Sequence, residues 1–259
     1  MGIMEVKSKF QHFIKRKKRL IISIIIISII AIIVAMFYNG ILLFNNPSAK
    51  KYPIQGVDVS AYQGDIDWKK LAGQDIDFAF IKATEGSNFV DEKFQDNYKD
   101  AIDAGIRVGA YHFFSYDSSG EVQGENFISV VDKTDNMLPP VIDIEFYGDK
   151  ARNLPDVEKT KKELGILLSK LEEHYGMKPI IYATKKSYDL YIANDYCDYD
   201  IWIRDVLTKP KLSDNRTWTF WQYTSRKKLE GYIGEEKYID VNVFYGSEKE
   251  FAKYAKENK

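Results

Sequence analysis

A chain of 259 residues with a formal net charge of −1 hides a division of charge: residues 1–45 hold seven Lys or Arg and one acid, Glu5, whereas the rest holds 30 basic and 37 acidic side chains. The acidic larger part excludes a nucleic acid as partner, because phosphate backbones need compensating Lys and Arg. A single cysteine, Cys197, excludes an internal disulfide and reads as a small apolar filler, while His12, His112 and His174 form no zinc-type ligand set, so no metal or other cofactor is expected.

The basic run Lys15–Arg19 stands directly before LIISIIIISIIAIIVAMFY, Leu20–Tyr38, 19 residues without a charge. At 1.5 Å rise per residue this run spans a bilayer core of about 30 Å. The positive flank predicts a signal anchor with residues 1–19 as a cytoplasmic tail and everything after Tyr38 outside the cell membrane. A cleaved signal would have a shorter apolar run ending at a small-x-small site, which MFYNGILLF does not offer. A buried core helix would keep a polar face. Residues 39–53 then read as a short tether, whose part from Asn45 to Pro53 reaches at most about 28 Å when extended.

From Ile54 onward, short apolar runs alternate with helix-like segments. GVDVS (56–60), FAFIKA (78–83), RVGAYHFF (107–114), PPVIDIE (139–145), PIIYA (179–183) and DIWIRD (200–205) read as strands. Between them lie predicted helices at 67–73, 91–104, 121–131, 156–175 and 185–192. The long one has Pro155 near its start and Gly176 past its end, where helices prefer those residues. Such alternation implies parallel strands joined by crossovers. WTFWQY (218–223) and YIDVNVF (238–244) break the rule, since a charged, Gly-containing loop separates them. The expectation is an α/β chain: an irregular TIM-like β/α barrel of about eight strands over residues 54–259. Outer helices are missing in its C-terminal part, and a polar helix from about Glu248 to Glu257 packs outside.

PPVIDIEFYG (139–148) carries the chemistry. Residues i and i+2 of a strand project to one side, so Asp143 and Glu145 stand together above Val141, roughly 6–7 Å apart along the strand. Burying carboxylates costs several kcal/mol unless they are paired, hydrogen-bonded or protonated, so two at one strand end call for a function. Asp58, Glu85, Asp205 and Asp240 also fall within or just past strands, and strand ends converge in a barrel. Convergent acids without metal or nucleotide motifs suit glycosidic cleavage, which needs a proton donor and a group that stabilises a cationic centre. Aromatic neighbours fit sugar faces: Tyr62, Tyr111, Tyr147, Tyr182, Trp202, Trp221 and Tyr223 are the candidate substrate contacts. Lys82 and Arg204 are expected to set the charge states of the acids, and His112 to be a hydrogen-bonded strand residue.

The segments GVDVSAYQGDIDW, FAFIKATEG, AGIRVGAYHFF, LPPVIDIE, KPIIYA, IWIRD, FWQY and IDVNVF occur in the order of a known family. From about Ile54 to Tyr245 the chain resembles the glycoside hydrolase family 25 lysozymes, the Chalaropsis-type muramidases. The resemblance implies a flattened β/α barrel and cleavage of the β-1,4 bond between N-acetylmuramic acid and N-acetylglucosamine in peptidoglycan, here beside the membrane on the cell-wall side. Matched to the family's motifs, Glu145 is the proton donor and Asp143 its partner acid, with Asp58 and Asp240 as further acids of the cleft. Asp143 either assists the substrate's acetamido group or attacks directly as nucleophile, and both routes retain configuration. Two other functions compete: a non-catalytic glycan-binding scaffold that kept the barrel, and another acetamido-dependent glycosidase such as a chitinase.

Overall fold

A computed structural model describes residues 2–254, and the chain divides into two compact units after Leu43. In the first unit one helix, α1 (Gly2–Tyr38), runs through both the basic cluster and the apolar run. The stretch His12–Tyr38 has a mean hydropathy of 3.3 and is long and apolar enough to cross a membrane. Ile24, Ile27 and Ile30 leave half or more of their surface uncovered, as expected of a helix without a polar side. Its backbone groups are satisfied within the helix, which a lipid environment requires.

The second unit is built on strands β1 (Gln55–Val59), β2 (Asp65–Ile66), β3 (Phe78–Glu85), β4 (Phe89–Val90), β5 (Arg107–Phe113), β6 (Val141–Ile144), β7 (Ile180–Thr184), β8 (Ile201–Arg204), β9 (Phe220–Lys227), β10 (Tyr232–Ile233) and β11 (Ile239–Phe244). Eight of them close a barrel in the order β1-β3-β5-β6-β7-β8-β9-β11, with β11 returning to β1. Pairing is parallel from β1 through β9 and antiparallel at β9–β11 and β11–β1. The change follows from the connections, because a parallel neighbour needs a crossover and a loop between β9 and β11 cannot provide one. Helices α2 (Trp68–Ala72), α3 (Phe94–Asp103), α4 (Gly120–Val130), α5 (Val157–Tyr175) and α6 (Lys185–Tyr191) serve the parallel part. In α5, Leu164, Leu167, Leu168, Leu171 and Tyr175 recur at helical spacing and are buried. Asp156 caps its start, and Gly176 ends it at φ 68°, a left-handed angle that glycine adopts without strain. The last helix, α7 (Glu248–Lys253), is shorter than expected, and residues 255–257 lie outside the described residues.

One end of the barrel is filled. Phe78, Phe80, Trp202, Phe220 and Phe244 form its aromatic interior, with Phe80 stacked on Trp202 at 4.6 Å between ring centroids. Gly56 and Gly109 make room for these rings: a Cβ would come within 2.5 Å of Phe78 and 2.8 Å of Phe80. Phe251 packs beneath, and Arg107 donates to the carbonyls of Phe251 (2.8 Å) and Tyr254 (2.6 Å), holding the end of α7. The opposite, carboxyl end of the strands stays open.

Helix α6 borders the outer side of β8, where Lys185, Tyr188 and Asp189 lie beside Ile203. Residues 45–53 lie against the outward side of β9 and the turn after β8. Asn45 is buried and donates to the carbonyl of Asp205 at 3.0 Å. Tyr52 is 4 % exposed and packs against Trp218, Trp221 and Tyr245 with centroids 5.7, 6.2 and 6.1 Å away. The stretch that composition marks as tether is therefore, in this part, laid against the barrel. Cys197 is exposed, not a buried filler. Its place after α6 is in a polar turn, where a small side chain has nothing to pack into.

This docking has a measurable cost of removal. Replacing Tyr52 with Ala should lower stability by about 3 kcal/mol. Tyr52→Phe should be neutral or stabilising, because the hydroxyl is buried without a hydrogen-bond partner among the described residues. Urea unfolding of the full chain in detergent reads both, and an unchanged midpoint for Tyr52→Ala would mean that the segment does not pack.

Candidate active site

The open end of the barrel holds a cavity of about 600 Å³, a common size for a ligand pocket. Val141 and Asp143 share the inner side of β6; Val141 belongs to the aromatic interior and Asp143 to the cavity above it. Glu145, one residue past the strand, continues the same side and also lines the cavity. Asp58 on β1 and Asp240 on β11 are direct cross-strand partners, and both face the same space. Four of the six acids expected at strand ends thus converge. Of the others, Glu85 pairs with Lys82 at 2.7 Å, and Asp205 accepts from the backbone N–H groups of Leu207 and Thr208 in its own turn.

Asp58 is held by two relays. Gln222 donates to both of its oxygens at 3.0 Å, and Asn242 donates to Oδ1 at 2.7 Å. Each amide is oriented from behind: the Tyr182 hydroxyl donates to Gln222 Oε1 (3.1 Å), and Trp202 Nε1 donates to Asn242 Oδ1 (2.7 Å). Each amide oxygen being occupied as an acceptor, its nitrogen must point at the carboxylate. Burial pushes Asp58 and Asp240 above the ordinary aspartate range. The Asp58 carboxyl directly across from it pushes Asp240 up further.

Asp143 and Glu145 are raised as well, and in both the first cause is burial. At Asp143 the neighbouring Glu145 carboxylate adds to the shift. For Glu145 the Arg204 guanidinium, which opposes the shift, ranks second, and the charge that raises it is Asp58. Asp143 lies deep in the cavity, at 7 % exposure. Its Oδ1 is buried and accepts no hydrogen bond among the described residues. Lys82 and Arg204 line the cavity and favour the charged forms, in line with the role expected for them.

Four of the seven candidate aromatics line the cavity: Tyr62 at its rim, 60 % exposed, and Tyr111, Tyr182 and Trp202 in its wall. The other three do not. Trp221 and Tyr223 point to the outer side of β9, where Trp221 Nε1 donates to the carbonyl of Asp205 and Tyr223 packs against Trp221. Strand alternation gives the inner side to Phe220 and Gln222. Tyr147 faces away; its hydroxyl accepts from the N–H of Tyr116 (3.2 Å) and donates to Asp117 (3.1 Å), pinning that loop. His112 is fully buried outside the cavity. Its Nε2–H donates to Gln123 Oε1 and its Nδ1 accepts from the Thr84 hydroxyl, while burial pushes its pKa down to about 4. It is neutral and structural.

Several residues of the site escape a reading of the sequence. Gln222 and Asn242 sit beside the quoted aromatics and acids, and the parity of the strand was the available signal. Ser225, on β9, and Glu236 and Tyr238 also line the cavity. Glu236 and Tyr238 are brought in by the loop after β9, whose β10 pairs with β2 and whose Gly234 lies so close to Gln63 that a Cβ would fall 2.3 Å from its carbonyl carbon. Although four acids face the cavity, no three described His, Cys, Asp or Glu side chains converge as metal ligands.

Comparison with known proteins agrees with this geometry. The sequence pattern of the glycosyl hydrolases family 25 matches residues 57–232. Lysozyme M1 of Streptomyces globisporus is 33% identical over 207 residues, spanning 75% of this chain and 68% of that protein. A family 25 glycosyl hydrolase from Bacillus anthracis shares the barrel with a TM-score of 0.78 and 58% identity, over 82% of this chain and 97% of its own. A bacterial lysozyme from Streptomyces coelicolor follows with a TM-score of 0.71 and 30% identity, over 80% and 98%. With the pattern matched from β1 to β10 and the barrel shared at these identities, the chain belongs to the glycosyl hydrolases family 25.

Proposed function

We propose that this glycoside hydrolase is a membrane-anchored N-acetylmuramidase. It would cleave the β-1,4 bond between N-acetylmuramic acid and N-acetylglucosamine in peptidoglycan, with retention of configuration. The observation that carries the reading is the Asp143–Glu145 pair at the floor of an open cavity, with Asp143 Oδ1 buried and unpartnered. The lysozymes among its relatives support the substrate class. The apolar helix supports an anchor through Leu20–Tyr38, with the amino end cytoplasmic and the barrel on the wall side.

Glu145, which burial favours in its protonated form, is the general acid. Asp143 Oδ1 suits the N–H of the substrate's 2-acetamido group. Accepting that hydrogen bond favours the charged form of Asp143, so substrate binding leaves Glu145 as the proton carrier. The acetamido oxygen then attacks the anomeric carbon. The bond to the leaving sugar breaks as the Glu145 proton moves to the glycosidic oxygen, and the charged Asp143 stabilises the resulting oxazolinium. Water, giving its proton to Glu145, opens that ring; two inversions retain configuration. Direct attack by Asp143 would need the two carboxyl groups on opposite sides of the sugar at about 5–5.5 Å. Adjacent inward positions on one strand favour assistance. Asp58, fixed by Gln222 and Asn242, and Asp240 complete the acidic wall, and a covalent sugar on Asp143, if trapped, would establish direct attack instead.

Three measurements follow. On purified peptidoglycan the full chain should release reducing N-acetylmuramic acid, and Glu145→Gln should lower kcat by about 10²–10⁴-fold. Reducing N-acetylglucosamine would indicate a glucosaminidase, and binding of glycan without new reducing ends a scaffold. Arg204→Met removes the cation that lowers Glu145. Since Glu145 must be protonated, the alkaline limb of the kcat–pH profile should move to higher pH; a limb that stays would exclude Glu145 as the titrating acid. Asp143→Asn should abolish most activity yet raise Tm at neutral pH. A carboxyl whose folded pKa is raised holds a proton the unfolded chain has released, so its contribution falls as pH rises from the ordinary 3.8 toward the folded value. The difference in Tm between the variant and the parent should therefore vanish below pH 3.8.

A further inference from the structure

Phe89 lies outside every motif considered above. It is 48 % exposed on β4, the short return strand of a hairpin in which Glu85 pairs with Phe89 and Thr84 with Val90. A large apolar ring in water at a hairpin end is not needed by the fold, and a pliable tip would turn it inward. This tip is held. Gly86 takes the left-handed turn at φ 54°, and buried Asn126 on α4 donates to the carbonyls of Gly86 and Phe89, both at 3.1 Å. From the other side, Asp91 accepts from the backbone N–H of Ala61 at 2.9 Å, tying the hairpin to the rim turn that bears Tyr62.

The ring is also continuous with the cavity. Lys82 Nζ lies 5.2 Å from the centroid of Phe89 and 5.1 Å from that of Phe113, between the two rings, and both Lys82 and Phe113 line the cavity. Lys82 is in turn fixed by Glu85. The row Phe113, Lys82, Phe89 therefore leads from the catalytic acids out along the hairpin.

We infer that Phe89 is a stacking platform for a sugar ring of the same glycan strand, beyond those held in the cavity. The inference rests on the glycan-cleaving reading given above. A pyranose presents a C–H face that packs on an aromatic face, and a ring held rigid in place loses little entropy when it does so. Such a subsite would make the enzyme favour long strands over short fragments.

The test uses the full chain in detergent with two probes: long peptide-free glycan strands from peptidoglycan, and the tetrasaccharide of the same repeat. Phe89→Ala should raise the KM for strands about three- to tenfold relative to the KM for the tetrasaccharide. Phe89→Trp should restore the ratio. An unchanged ratio, whether both values stay or both rise together, overturns the platform. Binding of the strands to Glu145→Gln, with and without Phe89→Ala, separates this inference from the one beneath it. If the parent releases no reducing ends, the muramidase reading fails, while a three- to tenfold weaker binding of the double variant still supports Phe89 and equal binding still overturns it.

Discussion

Four carboxyl groups share one cavity from which the barrel walls exclude much of the water, and the surrounding structure depends on making that arrangement tolerable. A buried carboxylate is stable only when paired, hydrogen-bonded or neutral, and each of the three remedies is present. Asp58 is hydrogen-bonded, through amides that Tyr182 and Trp202 aim from behind. Burial and the charge of Asp58 push Asp240 toward its neutral form. Lys82 and Arg204 supply opposing charge. Asp143 keeps a fully buried oxygen, Oδ1, without a hydrogen-bond partner among the described residues, and that is where substrate chemistry is best placed.

The fold serves this end from below. Aromatic rings fill the amino end of the barrel so completely that Gly56 and Gly109 are needed to seat them, and Arg107 ties α7 across the bottom. A dense floor fixes the height of the layer above it. The amides that grip Asp58 stand on β9 and β11, the antiparallel part of the barrel, so the irregular half of the fold carries the most ordered polar network of the site.

Much of this was legible in the sequence, because period-two alternation is a strong constraint. It put Asp143 and Glu145 on one side of a strand, and it brought Asp58 and Asp240 toward the same end. The same rule misled where parity was not tracked: Trp221 and Tyr223 are large and conspicuous, but the inward position between them belongs to Gln222. Aromatic size attracts attention; a glutamine that orients a carboxylate does not. Neighbouring charge can be read from a string of letters, whereas depth below the surface, the first cause of the shift at Glu145, belongs only to the folded barrel. Glu236 and Tyr238 arrive on a loop whose approach depends on two glycines, Gly64 and Gly234, meeting backbone to backbone, and no pattern in the strands announces it.

Residues 45–53 change how the chain divides into interchangeable parts. A spacer is defined by its length and tolerates exchange, insertion or loss. These residues instead cover the outward side of β9 and the turn after β8, with Asn45 donating to the carbonyls of Asp205 and Tyr223 and Tyr52 packed on Trp218 and Trp221. A barrel of this family joined to another anchor at Ile54 would bring with it Trp218 and Trp221 as an uncovered apolar patch, a surface prone to association. The natural seam for such recombination lies ahead of Phe44, and the barrel with its covering segment is the unit that evolution or design can move.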